Sequence, residues 1–140
     1  MRGIILDKLI FDAIKKNIVL HPAERGGIIG LTNGRITSFY YDSQAKCTFN
    51  EYVPNTIILD KVIDEWDEKG IEFIGFVHSH TPTRKCLSPS DIEYAVKVLE
   101  VFDEMEYLII GVVGEYSSFP LTMFSIYRDG SCKEMKYSVE

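Results

Sequence analysis

The segment from Ile71 to Phe102 constrains the fold most, because it joins a buried strand to a capped helix. Residues 71–77 are rich in Ile, Phe and Val, which indicates a strand with both faces covered. Ser88, Pro89 and Asp91 then suit the N-cap, the first position and the positive dipole end of a helix. Apolar residues follow at helical spacing, namely Ile92, Tyr94, Ala95, Val98, Leu99 and Phe102.

Two histidines, His78 and His80, close the predicted strand. Residues two apart on a strand face the same way, about 6.6 Å apart at roughly 3.3 Å per residue. The short loop 81–87 would let Asp91 face both histidines across a cleft. Two imidazoles and one carboxylate form a three-ligand set for zinc that leaves the fourth position for water. A lone His-x-His pair or a lone helix cap needs no metal, but their combination predicts a catalytic zinc site.

The spacing of these residues is that of a known motif. His-Ser-His, seven residues, Ser, two residues and Asp resembles the JAMM signature of the MPN-plus metalloprotease domain, and all of its positions are filled here by His78, Ser79, His80, Ser88 and Asp91. An upstream Pro-x-Glu-x-x-Gly pattern of that family has its counterpart in residues 22–27, with the glutamate at Glu24. The chain departs from the family where proline commonly follows the second histidine, since Thr81 precedes Pro82 here.

The resemblance implies a role for each of these residues. His78, His80 and Asp91 would bind one Zn²⁺ per chain, which activates water and polarises the substrate's carbonyl. Glu24 would be the general base and then the general acid. Ser88 would donate a hydrogen bond to the oxyanion of the tetrahedral intermediate. The implied reaction is the hydrolysis of an amide.

The assignment of the general base has one serious rival, Glu51. Glu72 is six strand residues from His78, or about 20 Å, and Glu93 follows Asp91 by two, which turns it to another side of the helix. The two glycines after Glu24 favour a close approach of the backbone to a neighbouring strand or ligand. We therefore favour Glu24 and keep Glu51 as the alternative.

The rest of the sequence predicts one α/β domain over residues 1–140, an MPN/JAMM-like domain whose mixed β-sheet is flanked by about three helices. Helices are expected from Ile5 to Asn17, from Ile57 to Lys69 and after Ser88. Strands are expected at Gly27 to Thr32 and Arg35 to Tyr41 around an Asn33-Gly34 hairpin turn, at 71–77, at Tyr107 to Val113 and in a hairpin around Asp129-Gly130. Residues 53–55 are expected to lie in a loop.

Composition narrows the classes of partner and compartment. The formal net charge of −6, without a Lys/Arg cluster, argues against nucleic acid. No apolar run reaches the roughly 20 residues of a membrane span, and no signal peptide pattern begins the chain, so we expect a cytoplasmic protein. Three widely spaced cysteines, at 47, 86 and 132, indicate reduced thiols. Cys86 is expected to be a small buried filler, although a role near the zinc is open, and His21 is not expected to be a ligand.

Three functions remain open at this point. The resemblance implies a zinc peptidase or isopeptidase acting at the C-terminal tail of a ubiquitin-like or sulfur-carrier-like protein. A non-catalytic MPN-type scaffold is the second possibility, although such domains typically lack the ligands. A zinc hydrolase of another small amide is the third, and the sequence does not separate it from the first. Exposed strand edges also make a homodimer possible.

Overall fold

A computed structural model describes residues 3–18, 25–48, 51–79, 87–113 and 121–140. Its described part has three helices, α1 (Lys8–Asn17), α2 (Thr56–Glu68) and α3 (Pro89–Val101). The strands in the same residues are β1 (Ile4–Leu6), β2 (Gly26–Thr32), β3 (Arg35–Tyr41), β4 (Lys46–Thr48), β5 (Glu51–Val53), β6 (Glu72–Ser79), β7 (Leu108–Val113), β8 (Leu121–Ile126), β9 (Cys132–Met135) and β10 (Tyr137–Val139).

Eight of these strands form one mixed sheet in the order β10, β1, β3, β2, β6, β7, β8, β9. The pairs β1–β10, β1–β3 and β6–β7 are parallel, and the other pairs in the sheet are antiparallel. Strands β4 and β5 form a separate antiparallel hairpin. The expectation of a mixed sheet is therefore confirmed.

The sheet curls into a near-barrel, which corrects the expectation of a sheet simply flanked by helices. Strands β9 and β10 lie at opposite edges of the sheet, yet Lys136 alone separates them in sequence. One residue cannot span a flat eight-stranded sheet whose strands are about 4.8 Å apart, so the two edges must approach each other. The Tyr137 hydroxyl donates a 2.6 Å hydrogen bond to the Leu121 carbonyl, which ties β10 to β8 where the edges meet.

The two faces of the sheet are packed against different helices. One buried cluster includes Ile14 and Ile18 of the α1 region together with Val77 of β6. The other includes Ala95 and Leu99 of α3 and Trp66 of α2 together with Phe76 of β6. Since neighbouring residues on a strand alternate faces, His78 lies on the face of Phe76, which is the face covered by α2 and α3.

Several predicted elements are confirmed. Asn33 and Gly34 have φ values of 51° and 76°, the left-handed backbone that a two-residue hairpin between β2 and β3 requires. Helix α2 ends before Gly70, which has φ of 76°. Strand β7 and the hairpin of β8 and β9 lie where the sequence predicts them.

Other elements differ from the prediction. The first helix does not begin at Ile5, because residues 4–6 form β1 between β10 and β3, and α1 starts at Lys8. Residue Val53, expected in a loop, ends strand β5. The sequence also does not predict strand β10. These short strands depend on partners far away in the sequence, so local periodicity does not reveal them. Within the described ranges, no helix is long and apolar enough to cross a bilayer.

Candidate metal centre

His78 lies near the end of β6, in the middle of the sheet. Its neighbours across the sheet are Gly26 on β2 and Val112 on β7. The side chain is buried, with 5% of the residue's surface exposed. A buried imidazole on an otherwise apolar strand needs a polar partner, because burial without a hydrogen bond or a ligand is costly. His80, the second predicted ligand, lies outside the described residues.

Asp91 occupies the first turn of α3, and its backbone and side chain are held by Ser88. The Asp91 amide donates a 3.2 Å hydrogen bond to Ser88 Oγ, and the Ser88 amide donates a 2.9 Å bond to Asp91 Oδ2. This reciprocal pair is a capping box, with Pro89 at the start of the helix. The predicted helix start is confirmed. The capping box also orients the Asp91 carboxylate, because one of its oxygens is engaged and the other faces β6.

The structure brings His78 and Asp91 together. His78 Nε2 lies 3.3 Å from Asp91 Oδ1. In a tetrahedral zinc site with Zn–N and Zn–O distances near 2.1 Å, two ligand atoms are about 3.3 to 3.5 Å apart. The observed separation therefore fits two ligands of one zinc ion, although a direct ion pair between a protonated histidine and the carboxylate has the same length.

The other ring nitrogen of His78 favours the metal-binding tautomer. His78 Nδ1 lies 3.3 Å from the Ser79 carbonyl oxygen. A carbonyl oxygen accepts only, so Nδ1 is the donor in this contact. In the neutral ring with this tautomer, the lone pair of Nε2 faces Asp91 Oδ1, and either a metal ion or a proton on Nε2 would satisfy the two atoms. A backbone carbonyl on the outer nitrogen is the usual support of a zinc-binding histidine.

Ser79 joins the end of β6 to the start of β2. The Arg25 amide donates a 2.9 Å hydrogen bond to Ser79 Oγ, and the Ser79 amide donates one of 2.9 Å to the Arg25 carbonyl. Arg25 follows Glu24 in the sequence, and Ser79 precedes His80. Glu24 itself lies outside the described residues. The contact shows that the chain segments leading to Glu24 and to His80 meet in space.

The predicted close approach after Glu24 is confirmed at Gly27. A β-carbon on Gly27 would collide with the backbone carbonyl of Tyr40 on β3. Glycine at this position therefore lets β2 and β3 pack closely.

The rival base, Glu51, is described in its backbone only. Glu51 begins β5 and is paired with Thr48 in the separate hairpin, whose backbone alone is described there. Cys86 and His21 lie outside the described residues. Among the residues that the structure describes, no group of three or more His, Cys, Asp or Glu side chains could hold a metal ion. The third predicted ligand, His80, is not among them.

Aromatic and acidic side chains lie near the face of β6 that carries His78. The ring of Tyr94 packs against Phe76 with centroids 5.4 Å apart. Burial, and then the negative charges of Asp60 and Asp42, raise the pKa of the Tyr94 hydroxyl. The buried Asp42 accepts a 2.9 Å hydrogen bond from the Asn55 amide. The hydrogen bond between Asn55 and Asp42 anchors the start of α2 to the end of β3.

Two serines near the centre have contacts that the sequence did not reveal. The sequence analysis assigns Ser79 no role beyond its place in the motif. A small polar residue within an apolar strand could have indicated a buried hydrogen bond of this kind. Ser90 Oγ lies 3.0 Å from Ser88 Oγ. Neither contact follows from the spacing of the residues, since serine at these positions also suits a plain helix start or a strand end.

Comparison with known proteins places these residues in a family context. The family model described as prokaryotic homologs of the JAB domain matches residues 10–122. The solution structure of protein DSY2949 from Desulfitobacterium hafniense is similar in fold, with a TM-score of 0.75 and 17% sequence identity. That similarity covers 98% of this chain and 92% of the other. No curated protein matches the chain.

Proposed function

The chain belongs to the family of prokaryotic JAB-domain homologues, and from this premise we propose that it is a zinc-dependent peptidase or isopeptidase. His78, His80 and Asp91 would hold one zinc ion per chain. The observation that carries the proposal is the 3.3 Å separation of His78 Nε2 and Asp91 Oδ1, the spacing of two ligands on one tetrahedral ion. The Nδ1 contact to the Ser79 carbonyl supports it, because it leaves Nε2 available for a metal.

The bound ion would polarise the carbonyl of the scissile amide and make water a nucleophile near neutral pH. Glu24 would take the proton from the attacking water and deliver it to the leaving amine. The contact between Arg25 and Ser79 supports this role, since it fixes the residue after Glu24 beside the residue before His80. A base must come within hydrogen-bond reach of the proton that it removes.

Ser88 would donate a hydrogen bond to the oxyanion that forms on the substrate. Its Oγ is fixed by the Asp91 amide in the capping box, and a hydroxyl that accepts one hydrogen bond still has a proton to donate. Because Asp91 and Ser88 hold each other, the metal ligand and the oxyanion donor keep a constant relative position. One such donor contributes about 3 to 4 kcal/mol to the stabilisation of a transition state.

The proposed substrate is the C-terminal tail of a ubiquitin-like or sulfur-carrier-like protein. The resemblance of the motif to the JAMM signature supports this class. An extended, flexible tail can be held by backbone hydrogen bonds while pockets select its side chains. Hydrolysis of another small amide would use the same centre with a different pocket.

Metal analysis tests the centre. The wild-type protein should contain about one zinc per chain, and His78→Ala and Asp91→Ala should lose it. Glu93→Ala is the matched control, because Glu93 is an exposed acidic residue two positions from Asp91 on the same helix. Full zinc content in both ligand variants would contradict the ligand set.

Cleavage of carrier-protein fusions tests the reaction. A ubiquitin-like protein fused through a Gly-Gly tail to a reporter should be cut by the zinc-loaded enzyme and not after chelation. Restored cleavage on adding zinc back would exclude damage by the chelator. A zinc-loaded protein that cuts no carrier fusion or model amide would favour the scaffold function, which the family also includes.

A further inference from the structure

Ser88 Oγ has two neighbours of different kinds. It accepts a 3.2 Å hydrogen bond from the Asp91 amide, and it lies 3.0 Å from Ser90 Oγ. Ser90 is exposed on the first turn of α3, whereas Ser88 is partly buried. The side chains of a capping serine and of the residue two positions later are therefore in direct contact at the edge of the candidate centre.

A serine hydroxyl has one proton and two lone pairs. The Asp91 amide takes one lone pair of Ser88 Oγ. Between Ser88 and Ser90, either hydroxyl can be the donor. If Ser88 donates to Ser90, its proton is directed away from a substrate. If Ser90 donates to Ser88, both lone pairs of Ser88 are used and its proton is left to point outwards.

We propose that Ser90 is a positioning residue that donates its hydroxyl proton to Ser88 and so directs the Ser88 proton at the substrate's oxyanion. The inference rests on the proposed function, in which Ser88 is the oxyanion donor. It is carried by the 3.0 Å contact between the two hydroxyls and by the amide that already occupies the other side of Ser88 Oγ.

The negative charge that develops on the substrate favours the arrangement in which Ser90 donates to Ser88 and Ser88 donates to the oxyanion. A hydrogen bond to an ionised oxygen is roughly twice as strong as one to a neutral oxygen, so the Ser88 proton prefers the oxyanion to Ser90. Two donors on Ser88 Oγ also polarise its O–H bond, which makes it a stronger donor. Ser90 thus acts through Ser88 and adds most in the transition state, where the negative charge is largest.

Removal of the Ser90 hydroxyl provides the first test. With a Gly-Gly peptide carrying a fluorogenic amide as substrate, Ser90→Ala should lower kcat about 3- to 10-fold, the effect of one ordinary hydrogen bond. KM and zinc content should stay at the wild-type values, since Ser90 touches neither substrate nor metal in this proposal. Ser90→Thr keeps the hydroxyl and should restore kcat to within about twofold of wild type.

A double-mutant cycle separates positioning from a general effect on the helix. In a Ser88→Ala background, Ser90→Ala should change kcat by less than about twofold, because the hydroxyl through which it acts is gone. Equal losses from Ser90→Ala in both backgrounds, or a Ser90→Ala variant with wild-type kcat, would overturn the positioning role. If kcat of Ser88→Ala also equals that of wild type, the oxyanion role of Ser88 is overturned as well.

The proposed function has a separate readout in the same assay. A wild-type protein that neither holds zinc nor cleaves the fluorogenic amide would overturn the proposed function itself. A zinc-loaded, active wild type with a slowed Ser88→Ala variant and an unaffected Ser90→Ala variant would leave the proposed function standing and remove only the role of Ser90.

Discussion

Arg25 and Ser79 are joined by two hydrogen bonds of 2.9 Å, one from the Arg25 amide to Ser79 Oγ and one from the Ser79 amide to the Arg25 carbonyl. The two residues are 54 positions apart in the chain. Their contact continues the pairing of β2 with β6 beyond Gly26 and His78. The start of one strand and the end of the other, next to Glu24 and His80 in sequence, are thereby held together.

We expect Ser79→Ala to weaken both the fold and the proposed reaction. The side chain is fully buried, and its loss leaves the Arg25 amide without that acceptor, at a cost of about 1 to 3 kcal/mol in the free energy of unfolding. Turnover should also fall, because the segment next to Glu24 loses a fixed position. Urea unfolding and kcat on the fluorogenic amide measure the two effects.

Ser125→Ala is the matched control for this variant. Ser125 is also a buried serine in a strand, and its hydroxyl contacts the Lys133 carbonyl on β9, away from the candidate centre. It should lose stability and retain kcat. Equal kcat in Ser79→Ala and Ser125→Ala would argue against a positioning role for Ser79.

The identity of the general base is tested by Glu24→Gln and Glu51→Gln. Glu24→Gln should keep its zinc and lose activity by several orders of magnitude, because an amide does not accept the proton of the attacking water. Glu51→Gln should retain nearly full activity. Zinc content and kcat of both variants decide the assignment, and the reverse pattern would move the base to Glu51.

Packing of α3 against the sheet sets the position of Asp91, and Leu99 is one of the two buried residues of this helix. Leu99 is fully buried, so Leu99→Ala should lower the free energy of unfolding by about 2 to 5 kcal/mol. Val101 is 76% exposed on the same helix, and Val101→Ala should change the free energy of unfolding by less than about 0.5 kcal/mol. Denaturant titrations compare the two, and similar losses would show that α3 does not pack as described.

Closure of the near-barrel depends in part on Tyr137. Removing the hydroxyl in Tyr137→Phe should cost about 0.5 to 1.5 kcal/mol through the lost bond to the Leu121 carbonyl. Burial raises the pKa of Tyr137 above its ordinary value of 10.0, so the folded protein holds this proton more tightly than the unfolded chain. The contribution of the neutral Tyr137 hydroxyl to the free energy of unfolding is therefore complete below about pH 10. It is lost as the pH rises through the folded pKa.

The difference in unfolding free energy between wild type and Tyr137→Phe reports the pH dependence due to Tyr137 alone, because the other tyrosines are present in both proteins. It should be constant between pH 7 and 9 and shrink above pH 10. Ser138→Ala, a neighbouring exposed residue on β10, serves as a control that should leave the pH dependence unchanged. A difference that grows above pH 10 would contradict the burial of a neutral phenol.

The sequence by itself determined the features that depend on a few neighbouring residues. The capping box of Ser88 and Asp91, the left-handed turn at Asn33 and Gly34 and the strand that ends in His78 are all set by local backbone preferences, side-chain caps and apolar runs. The motif also indicated the family, since its residue types and spacing resemble the JAMM signature, and the match of the family model to residues 10–122 confirms the family.

Only the tertiary structure decided which distant segments meet. Strands β1 and β10 pair across nearly the whole chain, and Arg25 meets Ser79 across 54 positions, because hydrogen bonds between strands depend on register in space and leave no local pattern. The 3.3 Å distance between His78 and Asp91 is of the same kind, since it requires α3 to pack on the face of β6 that carries His78. Side-chain burial over both faces of the curled sheet fixed that arrangement, and local sequence preferences do not contain it.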